Sequence, residues 1–227
     1  MNTHGIYDAI WERKQSGADR IAPGSRAAVA LELIGSGERV LDLGCGDGTL
    51  GVALMSRYKE VYGADISDRA VAMAQQRGIQ AAQVNLDTEA LPFADGLFSA
   101  VTCLDVLEHV FDPRSTISEI ARVCAPGAKV IITTPNMRYW RHILSIATGR
   151  FPRTSSDEEG YDGGHLHYYA ASNLADLLAE SFVVQKVRGV PGGPTIGTAS
   201  KILHLVFPGR LGAEVASPGI AIAAQRR

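Results

Sequence analysis

The sequence predicts an α/β fold in which a parallel sheet is wound by helices on both faces. Three observations predict it. Short apolar runs alternate with stretches of helical periodicity along most of the chain. The run Arg39 to Leu43 breaks directly into Gly44, Gly46 and Gly48 and then into a helical stretch, the strand, turn and helix order of a ligand-binding sheet edge. The chain has 227 residues, 46% of them hydrophobic, which suffices for one domain with a substantial core.

The elements follow in order. Ile6 to Gln15 reads as a short amphipathic helix and Pro23 to Ile34 as a second, with Pro23 suited to a first turn. Strands are expected at Arg39 to Leu43 and Glu60 to Asp65. Ser67 then caps a helix running through Arg77. Gln80 to Val84 and Phe98 to Leu104 are the third and fourth strands, and Ser115 to Cys124 is helical. Pro126-Gly127 turns the chain into a central strand, Ala128 to Thr134, and Pro135 starts a helix through about Ala147. Gly149 to Tyr168 is too irregular for core and reads as a long functional loop. Ala171 to Ser181 is a clear amphipathic helix, followed by a strand at Phe182 to Arg188 and a Pro/Gly-rich turn at Gly189 to Gly197. Ala199 to Phe207 is apolar and helical, and Gly219 to Ala224 closes the chain as a seventh strand.

Composition excludes several classes. The net charge of −2 gives no electrostatic case for nucleic acid, and no basic run or added binding module appears. No apolar run reaches membrane-spanning length, so no membrane partner is expected. Cys45, Cys103 and Cys124 form neither a metal-ligand pair nor an even disulfide set, which points to a reducing, cytoplasmic setting. Met1 to Ala18 is polar and of mixed charge, unlike a signal peptide. The apolar segment from Ala199 to Phe207 offers a contact for a homodimer or for the sheet edge.

The glycine turn carries the chemistry. Without Cβ atoms a ligand can press against the backbone, free N–H groups stand at the following helix, and Asp42 can accept from an ammonium or hydroxyl. Gly46-Asp-Gly48-Thr-Leu-Gly51 also satisfies G-x-G-x-x-G, the dinucleotide fingerprint, which makes an NAD-dependent oxidoreductase the rival reading. A dinucleotide fingerprint places its first glycine where the strand ends. Here that residue is Gly44, and from it the spacing is G-x-G-x-G. Asp65, at the end of the second strand, suits the ribose hydroxyls of an adenosine under either reading.

Arg39-Val-Leu-Asp-Leu-Gly-Cys-Gly-Asp-Gly48 resembles the first motif of class I S-adenosylmethionine-dependent methyltransferases. Asn85-Leu-Asp-Thr-Glu-Ala-Leu-Pro-Phe93, continued by Ala94-Asp-Gly-Leu-Phe-Ser99, resembles the adenine-binding run of the small-molecule members, with Ser99 where Asp is commoner. Leu104-Asp-Val-Leu-Glu-His-Val-Phe-Asp-Pro113 is similar to the family's V-L-E-H-V-x-D-P stretch. Thr134-Pro-Asn-Met-Arg-Tyr-Trp140 and Asp162-Gly-Gly-His-Leu-His-Tyr-Tyr169 are similar to segments of type 11 and methionine-biosynthesis protein W-like methyltransferases.

The resemblance implies a Rossmann-like, seven-stranded, doubly wound sheet of order 3-2-1-4-5-7-6 with strand 7 antiparallel. It implies a single domain over 1–227: N-terminal helices at 1–35, a cofactor-binding core at 36–134, an inserted lid or substrate segment at 135–170 and the rest of the sheet at 171–227. S-adenosylmethionine would rest on Asp42, Gly44, Cys45, Gly46, Gly48, Asp65, Ile66, Leu86, Asp87 and Leu104, with Asn85 competing with Asp87 for the adenine. The expected reaction is methyl transfer to O, N or C of a small-molecule acceptor, with S-adenosylhomocysteine as product. His109 and His165 are the candidate bases, and Tyr139, Trp140, His167 and Tyr168 offer aromatic and polar surface for a cover. No metal is expected. The set that would hold one is Asp105, Glu108 and His109, which share a face if the segment is helical and resemble an acid-x-x-Glu-His pattern of ubiquinone-biosynthesis O-methyltransferases, with Asp for the usual Glu. A non-catalytic partner protein of the methionine-biosynthesis protein W type is the remaining alternative.

Overall fold

The computed structural model describes residues 20–155, 164–193, 197–207 and 209–227. The helix expected over Ile6 to Gln15 lies outside the described residues. One sheet runs in the order β3-β2-β1-β4-β5-β7-β6. Its strands are β1 (Gly37–Leu43), β2 (Tyr58–Asp65), β3 (Gln80–Gln83), β4 (Phe98–Leu104), β5 (Cys124–Pro135), β6 (Phe182–Val190) and β7 (Gly219–Arg226). Strands β1 to β5 pair in parallel, and β7 lies antiparallel between β5 and β6. The expected order and the reversed last strand both hold.

The sheet separates two cores because successive side chains point to opposite faces. Val40, Ala100, Ile131 and Ala223 face one core, which receives Ala30 and Ile34 of α1 (Arg26–Ile34) and Leu50 and Leu54 of α2 (Thr49–Leu54). Ala74 of α3 (Asp68–Gln76) joins the same side. Leu41, Val101, Ile132 and Ile222 face the other core, filled by Ile117 and Ile120 of α4 (Pro113–Val123) and by Leu174 and Leu178 of α6 (Ala171–Leu178). Full burial of a leucine such as Leu174 stabilises by about 1.5–3 kcal/mol, so central strands covered on both faces are apolar nearly throughout. All three cysteines are free and buried in these cores.

Several boundaries differ from those expected, each for a local reason. Helix α1 starts at Arg26, because Ser25 caps it by accepting from the Ala28 N–H, and Pro23-Gly24 form the turn before it. Helix α4 starts at Pro113, since Asp112 accepts from the N–H groups of Arg114 and Ser115. Strand β5 already begins at Cys124 and runs through Pro135, so the helix expected from Pro135 is only α5 (Trp140–Ala147). Helix α6 stops at Leu178, short of the expected Ser181. Strand β6 continues past Arg188 to Val190. Gly189 pairs with Ile220 there, and a Cβ on it would overlap Ser217. Beyond α7 (Thr198–Val206), an unforeseen helix α8 (Arg210–Ala216) fills the crossover to β7, and β7 itself extends to Arg226. Ser67 caps α3 as expected, accepting from the Ala70 N–H at 3.2 Å.

Candidate active site at the carboxyl edge of the sheet

The carboxyl ends of β1, β2 and β4 open into a cavity of about 1090 Å³, lined there by Gly44, Asp65 and Leu104. A crevice at the strand ends is where ligands enter such sheets. Gly44 has φ +74°, its N–H reaches the Ala64 carbonyl at 2.7 Å, and a Cβ on it would overlap the Val106 side chain. Gly46 has φ +52° and donates its N–H to Asp65 Oδ2 at 2.9 Å. The other oxygen of Asp65 accepts from the Ser67 N–H at 3.0 Å. One carboxylate thus ties the glycine turn after β1 to the turn after β2.

The glycines have separate jobs. Gly44 and Gly46 line the cavity, whereas Gly48, at φ +80°, lets α2 approach α3, since a Cβ there would lie 3.0 Å from Ala74 Cα. Ile66, Leu86, Asp87 and Leu104 also line the cavity, as does Asn85. Asp42, Cys45 and Gly48 do not. Asp42 lies on the sheet face opposite Leu41 and Leu43, where Thr102 Oγ1 donates to its Oδ1 at 2.7 Å. Burial pushes its carboxyl up to about 7, against the lowering effect of that hydrogen bond. The ligand contact expected of Asp42 is therefore replaced by a contact between β1 and β4. Cys45 packs beneath the turn against Gly63, and burial drives its thiol far up, so its side chain offers no thiolate.

The loop after β3 is held by its own polar side chains. Asn85 Oδ1 accepts from the Asp87 N–H at 3.1 Å, and Asp87 Oδ1 accepts from the Phe111 N–H at 2.7 Å. Asn85 thus serves the turn, while Asp87 fastens the loop to the segment following β4. Ser99 has a role of its own: its hydroxyl donates to the Arg39 carbonyl at 2.8 Å, pinning β4 to β1 far from the cavity.

Further lining of the cavity comes from the segment after β4. Asp105 is the non-glycine residue with positive φ, 53°, among the described residues. Its carboxylate meets Arg26 Nε at 2.6 Å and the Thr133 hydroxyl at 2.7 Å. Glu108 is fully buried and neither carboxylate oxygen has a hydrogen-bond partner among the described residues. Burial, reinforced by Asp105, pushes its carboxyl well up. His109 and His165 both line the cavity, with ring centroids 4.7 Å apart. Burial, with the nearby His165, lowers His109 to about 4, so its ring is neutral at pH 7. Ligand atoms of Glu108, His109 and His165 lie within 4.8 Å of one another. This corrects the expected set: His165 takes the place of Asp105, whose oxygens are engaged by Arg26 and Thr133.

The segment 164–169 lies on the loop after β4. Leu166 and His167 donate their N–H groups to the Glu108 carbonyl, and a His167 ring nitrogen lies 2.9 Å from the Val110 carbonyl. Tyr139, Trp140, His167 and Tyr168 do not line the cavity. Sequence reasoning missed Arg26, Thr154, Ser155, Val190 and Pro218, which do. Arg26 carried no signal beyond its place just after a helix cap, and the others come from turns and strand ends that meet only in the fold.

A family model described as a methyltransferase domain matches residues 17–181. A ubiquinone biosynthesis O-methyltransferase of Alkalilimnicola ehrlichii is 37% identical over 115 residues, 48% of this chain and 47% of that protein. One of Pseudomonas putida (strain F1) is 36% identical over 123 residues, covering 51% and 52%. The chain therefore spans about half the length of the curated relatives it matches. The N-methyltransferase NodS of Bradyrhizobium japonicum WM9, solved with S-adenosyl-L-homocysteine, superposes with a TM-score of 0.62 at 16% identity, covering 96% of this chain and 97% of that one. On the family match, the chain belongs to the methyltransferase domain family, of the class I S-adenosylmethionine-dependent kind.

Proposed function

We propose that this protein transfers the methyl group of S-adenosylmethionine to an oxygen of a small-molecule acceptor. The observation that carries the reading is one cavity lined by two chemically different groups. Gly44, Gly46, Asp65, the 85–87 loop and Leu104 line it together with His109 and His165, and we assign the first group to the donor and the second to the acceptor. Asp65 is the acceptor for the ribose hydroxyls, Asp87 and the Leu86 backbone address the adenine, and Arg26, which also pairs with Asp105, lines the cavity as the arginine for the methionine carboxylate. From the segment 135–170, Thr154, Ser155 and His165 line the cavity and are the part that would cover the acceptor.

In the reaction the acceptor oxygen uses a lone pair to form the new C–O bond while the C–S bond breaks. Its electrons pass to sulfur, and the acceptor proton goes to a base. His109, neutral at pH 7, can take that proton, and His165 beside it is the second candidate. Alignment of donor and acceptor can supply up to ~7–11 kcal/mol of such a barrier, so a weak base suffices. The residues also fit a divalent cation, because the two orphaned oxygens of Glu108 face no donor while two imidazoles stand within reach. Glu108, His109 and His165 would hold it, and it would supply Lewis acidity toward an acceptor hydroxyl.

Calorimetric titration with S-adenosylhomocysteine and NAD, followed by transfer of labelled methyl groups to phenol, amine and carbon-acid panels with and without Mg²⁺ or Zn²⁺, tests the reading. Binding of S-adenosylhomocysteine with label on the phenols is expected. NAD binding alone overturns the cofactor. Donor binding with no transfer to any panel favours the non-catalytic partner role.

A further inference from the structure

Of the carboxylates that line the cavity, Asp65, Asp87 and Asp105, the last has no task in the methyl transfer. Its place is a costly one. The backbone stands at φ +53°, a left-handed conformation that few side chains adopt. The side chain is only 12% exposed, and burial pushes its carboxyl up. Two bonds to Thr133 on β5 fix it there. The Asp105 N–H donates to the Thr133 carbonyl at 3.0 Å, and the Thr133 hydroxyl donates to Asp105 Oδ1 at 2.7 Å. This anchored carboxylate meets Arg26, the first residue of α1, with Nε 2.6 Å from Asp105 Oδ2.

Stability does not account for the arrangement. The Arg26 side chain is 53% exposed, and an ion pair with one member half in water adds little to a fold. What the pair changes is the freedom of the arginine. An unrestrained arginine samples many rotamers, and the entropy lost in ordering it weakens any ligand contact it makes. Held at Nε by a carboxylate that is itself fixed, Arg26 meets a ligand already ordered. One carboxylate oxygen cannot occupy all five N–H donors of a guanidinium, so donors remain for a second carboxylate.

Resting on the reading of the cavity as a donor site, we propose that Asp105 is a positioning residue that holds Arg26 ready for the carboxylate of the donor's methionine end. It thereby favours ligands that carry the α-carboxylate over those that carry only the adenosine and sulfur. Thr133 is the strut behind it. This role takes the place of the metal-ligand role that the sequence suggested for Asp105.

Calorimetry with S-adenosylhomocysteine, its decarboxylated analogue and 5′-methylthioadenosine, which lacks the whole amino-acid tail, tests this. Asp105→Asn removes the charge with a residue that also suits a positive φ. Its affinity for S-adenosylhomocysteine should fall by ~10-fold. The two ligands without the carboxylate should bind as they do to the unaltered chain, which also reports that the variant is folded. Arg26→Gln should show the same pattern, and the double variant should lose no more than Arg26→Gln alone. A rise in affinity for S-adenosylhomocysteine would mean that Asp105 competes with the ligand for Arg26, and overturns the proposal. So does a loss that persists with the decarboxylated analogue. Heteronuclear NMR of the ligand-free protein gives a readout that needs no donor. The Arg26 Nε–H signal should move toward that of a solvated arginine in Asp105→Asn, and an unmoved signal overturns the proposal. If the unaltered chain binds none of the three ligands, the donor reading fails, and this signal still decides whether Asp105 holds Arg26.

Discussion

The two sides of the site are built on different principles. Around the glycine turn, backbone and side chains are bonded to one another. Gly44 and Cys45 donate to Ala64, Gly46 donates to Asp65, and Asp87 accepts from Phe111. After β4, the Glu108 carboxylate has no hydrogen-bond partner among the described residues, and His109 is held neutral by burial. Further along the chain, α5 and α7 leave apolar stripes in solvent. The cofactor side is a preorganised mould for one ligand.

The largest predicted effect attacks the mould. Gly44→Val places a β-branched residue at φ +74° and drives its side chain into Val106. Destabilisation of several kcal/mol and loss of S-adenosylhomocysteine binding by more than ~100-fold are expected, measured by denaturant melts and calorimetry. Second is Asp65→Ala, which removes the acceptor of two backbone N–H groups at 2.9 and 3.0 Å together with the proposed ribose contact. Affinity for S-adenosylhomocysteine should fall by ~10–100-fold. Unchanged affinity would remove Asp65 from the ribose site.

That contrast also sets what the sequence could disclose. The order of the sheet and the glycine turn at its edge were legible because their causes are local. Gly44 marks the end of a strand, and Ser67 caps a helix through a residue three places on. The surroundings of Asp42 were not legible because its neighbour across the sheet is sixty residues away: only β1 pairing with β4 reveals that Thr102 donates to its carboxylate. Arg26 was missed for the same reason, since it reaches the site from a distant segment through Asp105. Helix α8 escaped notice because Arg210 to Ala216 gives only seven residues, too few for periodicity to register.

A third prediction tests whether Asp42 is structural. Its carboxyl stands near 7 in the fold against an ordinary 3.8, so the folded chain keeps a proton over that interval and the unfolded chain does not. The stability it contributes is complete below about 3.8 and is lost as pH rises through 7. His109, lowered to about 4, acts with the opposite sign: its contribution is complete above 6.5 and is lost as pH falls toward 4. The wild-type profile sums both. Asp42→Asn can still accept from Thr102 but has nothing to titrate. Its stability relative to wild type should rise between pH 4 and 7, by at most about 4 kcal/mol. A constant difference across that range would show that Asp42 is not the titrating group.

The smallest effect is the one that isolates the outer face. Leu144→Ser removes an aliphatic side chain as large as that of Leu174, but Leu144 is half in water already and contributes to neither core. Truncation of a buried leucine such as Leu174 typically costs 2–5 kcal/mol. At Leu144 the change should stay within about 0.5 kcal/mol, and S-adenosylhomocysteine affinity should not move. A large loss of stability would mean that α5 is covered in the isolated protein after all. A null result fits a leucine whose apolar surface serves contacts outside the folded chain.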